Sequence, residues 1–206
     1  LTKLPLHDKG LGHFLGTAEM SFFSTPTWNE ILQKGLRVKG WYYCLKEGDQ
    51  IIFCLPGVLF DYKWIKIFYA NMPYGEFIGD EKHISTFLKH LEDDLKKEHV
   101  DLIRIAQLNN KTAQYMASYH PRKGYRHLLD INGYDPETLL KTYKPSTQRN
   151  IKKAIKSGIR IKNIETRGEL KDFYQLYIET MQRNSAIPIW TKKIFDDIYD
   201  LIVSTG

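Results

Sequence analysis

The sequence predicts an α/β (α+β) fold in which a mixed sheet is flanked by helices. Strand-like runs are interleaved with helical ones along the 206 residues, a length typical of one large domain or of one domain plus part of another. The composition is 42% hydrophobic and 13% aromatic, which is enough for a sizeable core and excludes intrinsic disorder. The longest apolar run, Ile51 to Phe60, is too short to span a bilayer and is broken by Pro56-Gly57, so we expect no transmembrane segment.

The first part of the chain is predicted to be mostly strands. The first forty residues are irregular in pattern apart from Ser24-Thr25-Pro26-Thr27, which is typical of a cap before a short helix from Trp28 to Lys34. Strands are then predicted at residues 40–46, 50–60 and 64–70, with Gly48-Asp49 as the turn between the first two. Met72-Pro73-Tyr74-Gly75 breaks the alternation and predicts a turn.

The remainder is predicted to be mainly helical. Apolar residues recur every three or four positions in the stretch from Asp80 to Glu98, which is the pattern of an amphipathic helix. The elements expected after it are a strand at 101–106, a weak helix near 111–118, a strand at 125–131, a helix opening at Asp135-Pro136, a helix from Pro145 to about Ser157, a strand at 159–164, and helices at 169–183 and 190–203.

The two cysteines indicate a reducing compartment, and we expect a cytoplasmic protein. If Gly48-Asp49 forms a two-residue loop, Cys44 pairs with Phe53, and the sulfurs of Cys44 and Cys54 point to opposite faces of the sheet. Only a three-residue loop would place the two cysteines opposite each other. We therefore expect two free, buried thiols.

The positive charge is concentrated in one segment. Residues 141–162 contain eight basic side chains and no acidic one, whereas the rest of the chain has 22 basic and 24 acidic residues. Such a segment attracts anions, which could be phosphates, a carboxylate or nucleic acid. The alternative is a solvated helix face without a ligand.

The residues from Lys144 to Ile161, KPSTQRNIKKAIKSGIRI, resemble a segment of the FemA/FemB/FemX-type peptidoglycan bridge transferases, bacterial relatives in the acetyltransferase (GNAT) superfamily. Three further features agree in order and spacing: Gly40-Trp41 at the start of a strand hairpin, Met72-Pro73-Tyr74-Gly75 where the family has p-Y-G-P, and Asp172-Phe-Tyr-Gln-Leu-Tyr before Thr180-Met-Gln-Arg183. Glu76 stands where the family usually has Pro. The resemblance runs from about Trp28 to the end of the chain.

The resemblance implies a GNAT-like sheet and two tandem GNAT-like domains. Residues 1–143 would form the first domain, and residues 144–206 the connecting basic helix and the incomplete start of the second. Because the chain opens on Leu1 instead of Met, we expect the true start to be missing or altered.

The donor implied by the resemblance is acyl-CoA or an aminoacyl-tRNA. The donor loop of the superfamily, Q/R-x-x-G-x-G/A, is not completed at Gln148-Arg149-Asn150-Ile151, and Gly10-Leu11-Gly12 follows no predicted strand. We therefore expect no cofactor in this fragment and no activity of the fragment alone.

The resemblance also implies a cleft for a cell-wall precursor, with basic residues near its diphosphate. The candidate substrate-binding residues are Lys34, Tyr74, Arg149 and Lys152. The alternatives are surface roles for the basic residues, a cap on the sheet edge for Tyr74, and a helix N-cap for the nearby Asp80. No catalytic residue is indicated, and the histidines, including the pair His83 and His90, have no metal-ligand spacing.

Two functions are consistent with the sequence. The first is the N-terminal part of an acyl- or aminoacyltransferase acting on an amine acceptor, which could be a cell-wall peptide, with tRNA as a partner if it is the donor. The second is a nucleic-acid or anionic-surface binding module built on the basic helix 145–158. The binding module should bind with steep salt dependence, and tight binding of duplex DNA by the fragment would exclude the transferase interpretation.

Overall fold

The structure is a computed structural model that describes residues 1–108, 112–116, 118–122, 124 and 129–204. The described chain divides into two compact units, Leu1–Tyr119 with Glu165–Gly206, and His120–Ile164. The first unit contains the whole sheet, and the second contains two short helices. The division into domains at residue 143, which concerns the family's tandem architecture, stays a prediction.

One mixed sheet organises the first unit. Its strands are β1 Thr2–Leu4, β2 Lys39–Glu47, β3 Gln50–Asp61, β4 Lys66–Gly75, β5 Ile78–Gly79 and β6 Leu102–Gln107. The order is β1-β2-β3-β4-β6, and the two-residue β5 pairs with β3. Every described pair is antiparallel except β4 with β6, which are parallel. The mixed sheet flanked by helices that the sequence predicts is confirmed.

Seven α-helices accompany the sheet in the described residues. They are α1 Lys9–Gly16, α2 Pro26–Leu36, α3 Ile84–Lys97, α4 Pro136–Thr142, α5 Pro145–Lys156, α6 Arg167–Arg183 and α7 Lys192–Ile198, which continues as a π-helical turn, Tyr199–Val203. Three 3-10 turns lie at Phe22–Ser24, Glu81–His83 and Ala113–Met116. Each described helix is too short or too polar to cross a bilayer.

The core lies on both faces of the sheet because alternate residues of each strand point to opposite sides. On one face, α3 packs against the side chains of Tyr43, Phe53 and Phe68. On the other face, α1 covers Tyr42 and both cysteines, and α2 with α7 covers Val58 and Met72. All eight of these strand residues are buried, so the sheet is held between helices on both sides.

The first forty residues contain β1 and α1, which the sequence did not indicate. Three glycines lower the helix propensity of the eight-residue α1. The Asp8 carboxylate nevertheless caps it by accepting a hydrogen bond from the Leu11 N–H at 2.9 Å, and Leu11 and Leu15 are buried. Gly10-Leu11-Gly12 is therefore helical and does not form a loop.

The register of the β2–β3 hairpin differs from the prediction. Glu47 pairs with Gln50 across the two-residue loop as expected, but the register shifts after Lys46 and Ile51. Because β3 uses the extra residue Ile52 there, Cys44 lies directly opposite Cys54, and the expectation that their sulfurs face opposite sides was wrong. The expectation of two free, buried thiols is confirmed.

The turn predicted at Met72–Gly75 was also wrong, because β4 continues through these residues to Gly75. Asn71 has a φ of 56°, in the left-handed region that Asn tolerates better than most residues, and the Met72–Pro73 peptide bond is cis. The register of β4 against β6 shifts between Ala70 and Gly75, so the chain bulges near Asn71 without leaving the sheet.

The predicted helices at 80–98, 145–157 and 169–183 are confirmed, with bounds that move by a few residues. The strand predicted at 159–164 does not form: these residues make no sheet ladder in the described chain, and Ile161 is fully exposed. An alternating pattern forms a strand only when a neighbouring strand accepts its backbone hydrogen bonds. Of the strand predicted at 125–131, residues 125–128 lie outside the described part of the chain, and 129–131 are not extended in a sheet.

The buried cysteine pair makes a testable prediction. Burial, reinforced by the neighbouring Cys44, raises the pKa of the Cys54 thiol, so little thiolate forms near pH 8 and the group has no access to a reagent. Ellman's reagent should therefore find neither thiol in the folded protein and both after unfolding in guanidinium. Rapid reaction of one thiol under native conditions would contradict the buried cross-strand arrangement.

Candidate functional site

The parallel strands β4 and β6 part near their carboxyl ends. They pair in register from Ile67 opposite Leu102 to Ala70 opposite Ile105, and the next pair is Gly75 opposite Gln107. β4 thus has more residues than β6 between these two pairs, and the excess is the bulge at Asn71. Crevices outside the carboxyl ends of parallel strands are where open α/β sheets commonly bind their ligands.

A cleft of about 450 Å³ lies at these strand ends within the first unit. We call it the β4–β6 cleft, and it is lined by Glu19, Met20, Ser21, Glu76, Phe77, Gly79, Glu81, Gln107, Leu108 and Thr112. The lining combines three carboxylates with the side-chain amide of Gln107. Its formal charge is therefore negative, in contrast to the basic segment at 141–162.

A buried polar network shapes the inner wall of this cleft. The Ser24 hydroxyl donates to the Asn71 Oδ1 at 3.4 Å and accepts a hydrogen bond from the Glu76 N–H at 3.3 Å. The side chain of Glu76 makes a further hydrogen bond, in which its carboxylate accepts from the Ser21 N–H at 3.2 Å. Tyr42 adds its hydroxyl, which donates to the Ser24 carbonyl at 2.5 Å. Glu76 is therefore held by its backbone and by its side chain where β4 ends.

Two buried amide groups in this region have unused donors. The Nε2 of Gln107 and the Nδ2 of Asn71 have no hydrogen-bond partner within the described residues. A buried donor without a partner costs free energy comparable to a lost hydrogen bond. Gln107 lines the cleft and its Oε1 accepts from the Thr112 hydroxyl at 3.4 Å, so a ligand oxygen in the cleft could take the Nε2 donor.

The lining can therefore bind a cationic amine next to a carbonyl group. Carboxylates of Glu76 and its neighbours Glu19 and Glu81 would accept hydrogen bonds from an ammonium, and the Gln107 amide would donate to a carbonyl oxygen. An amine carried by a peptide has both groups.

Of the residues predicted from the sequence, Lys34 lies on α2 and is half exposed. Its Nζ forms an ion pair with the Glu30 carboxylate one helical turn away, at 2.5 Å. This hydrogen-bonded pair raises the pKa of Lys34 and lowers the pKa of Glu30. The imidazole of His7 also approaches Glu30, at 3.3 Å. The charge of Lys34 is thus already balanced by a carboxylate.

Tyr74 lies at the end of β4 but does not line the β4–β6 cleft. It is 44% exposed, and its ring packs edge-on against Phe23 with the ring centres 4.8 Å apart. Phe23 in turn packs against Trp28, whose indole N–H donates to the Met72 carbonyl at 2.6 Å. Because adjacent strand residues face opposite sides, Tyr74 points away from the side that Gly75 occupies.

Asp80 acts as the cap that the alternative interpretation expected. Its carboxylate accepts a hydrogen bond from the Lys82 N–H at 3.0 Å and pairs with the Lys82 side chain. These contacts lower the pKa of Asp80.

Arg149 and Lys152 lie on α5 in the second unit, where both side chains are exposed and form no ion pair with a described residue. Gln148 anchors the start of this helix by donating its side-chain N–H to the Tyr143 carbonyl at 2.8 Å. The structure therefore places Lys34 and Tyr74 in one unit without a contact between them, and Arg149 and Lys152 in the other.

Glu76 and Gln107 are the site residues that the sequence reasoning missed. Glu76 was noticed only as a departure from the family's Pro. Gln107 directly follows the predicted strand 101–106, and a polar residue at the carboxyl end of a strand was a signal that could have identified it.

Metal chemistry gains no support from the described histidines and acidic residues. Within residues 1–108, 112–116, 118–122, 124 and 129–204, no three His, Cys, Asp or Glu side chains come together as metal ligands. One further histidine, His127, lies outside the described residues.

Comparison with known proteins shows what this chain is similar to. The model of the FemAB family matches residues 106–201. Among solved structures, the crystal structure of FemX matches with a TM-score of 0.58 at 16% sequence identity, over 100% of this chain and 56% of the FemX chain. The chain thus spans little more than half the length of that FemX chain. The resemblance to the FemA/FemB/FemX-type proteins is confirmed, and the likeness to FemX shows the same fold.

The polar network predicts a strict requirement for glycine at position 75. An added Cβ would lie 2.5 Å from the Ser24 Oγ and 2.8 Å from the Asn71 Oδ1, which is too close for either atom. We expect Gly75→Ala to lower the free energy of unfolding by about 1–3 kcal/mol, as overpacking does in other cores. Urea unfolding followed by circular dichroism measures this change.

Gly12→Ala is the matched control, because a Cβ at position 12 of α1 meets no atom within 4 Å. That substitution should be neutral or stabilise by up to about 1 kcal/mol, since Ala is the better helix former. Equal effects of the two substitutions would contradict the close packing behind the cleft.

Proposed function

Because the chain is FemAB/FemX-like in its motifs and its fold, we propose that it is the acceptor-binding part of a peptidoglycan-related transferase. The enzyme would move an acyl or aminoacyl group onto an amine of a cell-wall peptide. The observation that carries this proposal is the β4–β6 cleft, where the carboxylate of Glu76 and the unpaired amide donor of Gln107 lie at the carboxyl ends of parallel strands.

The chemistry of such a transfer makes modest demands on this chain. The neutral amine attacks an ester or thioester carbonyl, a C–N bond forms, and the C–O or C–S bond breaks as the leaving alcohol or thiol takes a proton. Positioning supplies much of the rate in such reactions. Glu76 would bind the acceptor as its ammonium and orient the nitrogen, and Gln107 would hold the carbonyl next to it. The ammonium gives one proton to solvent before the attack, and the proton that the nitrogen loses as the C–N bond forms is the one that the leaving alcohol or thiol takes.

The donor in this proposal is acyl-CoA or an aminoacyl-tRNA, and it would bind in the complete protein. The exposed Arg149 and Lys152 on α5 would then contact phosphates, either the diphosphate of the acceptor or the backbone of tRNA. Lys34 could contribute only if a phosphate displaced Glu30 from its side chain. Tyr74 offers an exposed ring edge and hydroxyl to a substrate.

The two free thiols agree with the cytoplasmic location that we expect.

The basic helix also keeps the second function open, a nucleic-acid or anionic-surface binding module. What favours this function is the exposure of the four basic side chains Arg149, Lys152, Lys153 and Lys156 on α5. Against it, α5 has no aromatic residue on which a base could stack. The transferase is therefore the proposal that we develop.

Glu76→Gln tests the acceptor site directly. The probe is a lysine-containing peptidoglycan stem peptide with a free side-chain amine, and binding to this chain is measured by isothermal titration calorimetry. Replacing the carboxylate should weaken binding about 10- to 100-fold, the value of one charge-assisted hydrogen bond. The same peptide with an acetylated amine should bind weakly to the wild type and to the variant alike.

Glu47→Gln is the control, because Glu47 is an exposed carboxylate at the β2–β3 loop and does not line the cleft. Its affinity for the peptide should equal that of the wild type. If Glu76→Gln binds the amine peptide as tightly as the wild type does, the cleft is not the acceptor site.

A further inference from the structure

The loop between β3 and β4 exposes an unusual set of side chains. Four residues, Tyr62-Lys63-Trp64-Ile65, form a tight turn in which the Tyr62 N–H donates to the Ile65 carbonyl at 3.0 Å. Trp64 is 83% exposed and Tyr62 is 53% exposed, and Ile65 is exposed beside them. The other tryptophans, Trp28, Trp41 and Trp190, are buried or partly buried.

The base of this loop is rigidly connected to the sheet. The Asp101 carboxylate accepts a hydrogen bond from the Lys66 N–H at 2.8 Å, and the Asp101 N–H donates to the Lys66 carbonyl at 3.0 Å. The Lys66 side chain also donates to the Glu98 carbonyl at 3.3 Å. The aromatic side chains are thus presented at the end of a supported hairpin, next to an open hollow of about 350 Å³.

We propose that this hairpin end docks on the surface of a phospholipid bilayer. Trp and Tyr have rings that enter the apolar boundary and an N–H or O–H that stays with the headgroups, which is why both are enriched at membrane interfaces. Ile65 adds apolar area to the same loop.

The charges of the loop fit a lipid surface with anionic headgroups. Lys63 is the one charged residue of the loop 62–65. Asp61 and Asp101 lie at the base of the loop, where the Lys66 side chain is bound to the Glu98 carbonyl. The Nζ of Lys63 lies 4.7 Å from the centre of the Trp64 ring, so the cation is at the level of the aromatic group, as expected for a lysine that reaches lipid phosphates from an inserted loop.

The small size of the patch favours a bilayer over a protein partner. Aromatic side chains bury about 150–250 Å² each. Two of them with one isoleucine therefore fall short of the roughly 800 Å² per partner of a stable protein–protein interface. A bilayer has no such requirement, because a few inserted side chains suffice for reversible surface binding.

Vesicle binding of this chain tests the proposal, with Trp64 as its own reporter. The probes are vesicles of phosphatidylcholine with and without phosphatidylglycerol. We expect tryptophan emission to shift to shorter wavelength with the anionic vesicles and to be quenched by bromine-labelled lipid chains. Trp64→Ala should abolish the shift and lower the partition coefficient at least about tenfold, the effect of withdrawing one large apolar side chain.

Two further variants test the contribution of the Lys63 charge and whether any exposed apolar side chain would have the effect of Trp64. Lys63→Gln should lower partitioning about fivefold on the anionic vesicles and leave it unchanged on the neutral ones. Ile187→Ala removes an equally exposed apolar side chain (85%) from the loop between α6 and α7 and should bind vesicles as the wild type does. All variants should keep the wild-type urea midpoint.

Three results would overturn the proposal. The first is wild-type protein that stays in solution with both vesicles, and the second is Trp64→Ala that partitions as the wild type does. The third is a dimer, detected by sedimentation velocity, that the Trp64→Ala substitution dissociates. This result would mean that the loop binds a second copy of the chain. None of these outcomes depends on the proposed transferase activity.

Discussion

The candidate site depends on the two hydrogen bonds that the buried Ser24 hydroxyl makes with the residues around the β4 bulge. This hydroxyl joins the segment before α2 to both sides of the β4 bulge, because it donates to Asn71 and accepts from the backbone of Glu76. A buried polar group persists only when its hydrogen bonds are satisfied, so these contacts select one path for the chain between Ala70 and Gly75. That path separates β4 from β6 and opens the β4–β6 cleft.

The same bulge explains why neighbouring residues of β4 have different roles. Gly75 lies against the polar network, where no side chain fits, while Tyr74 joins the aromatic side chains of Phe23 and Trp28. The cleft is rich in carboxylates, whereas the excess of basic residues lies at 141–162. Taken separately, the cleft is suited to a cationic amine and the basic segment to an anion.

The elements with strong periodicity could be predicted from the sequence. The spacing of Ile84, Phe87 and Leu91 predicted α3, and Gly48-Asp49 predicted the two-residue β2–β3 loop across which Glu47 pairs with Gln50. The bulge at Ile52 could not be predicted, because a single extra residue in β3 changes the alternation only slightly and depends on packing across the sheet. The helix α1 could not be predicted either, because its glycines lower its helix propensity and it is stabilised by burial in the folded protein.

Much less of the candidate site was accessible to sequence reasoning. Lys34 and Arg149 were chosen because cations attract phosphates, but an ion pair such as Lys34 with Glu30 becomes visible only in three dimensions. The proximity of Glu76 to Gln107 depends on the parallel pairing of β4 with β6, two strands separated in sequence by α3. Long-range pairings of this kind leave no local pattern in the sequence.

The central claim is that the cleft at the ends of β4 and β6 holds the amine end of the acceptor. Backbone and side-chain amide NMR of the isotope-labelled chain, titrated with the free-amine stem peptide, tests it most directly. The account predicts that the largest shifts occur at Glu76, Gly79 and the side-chain NH₂ of Gln107, and that acetylating the amine removes them. Shifts confined to α2 or α5, with those three signals unmoved, would contradict it.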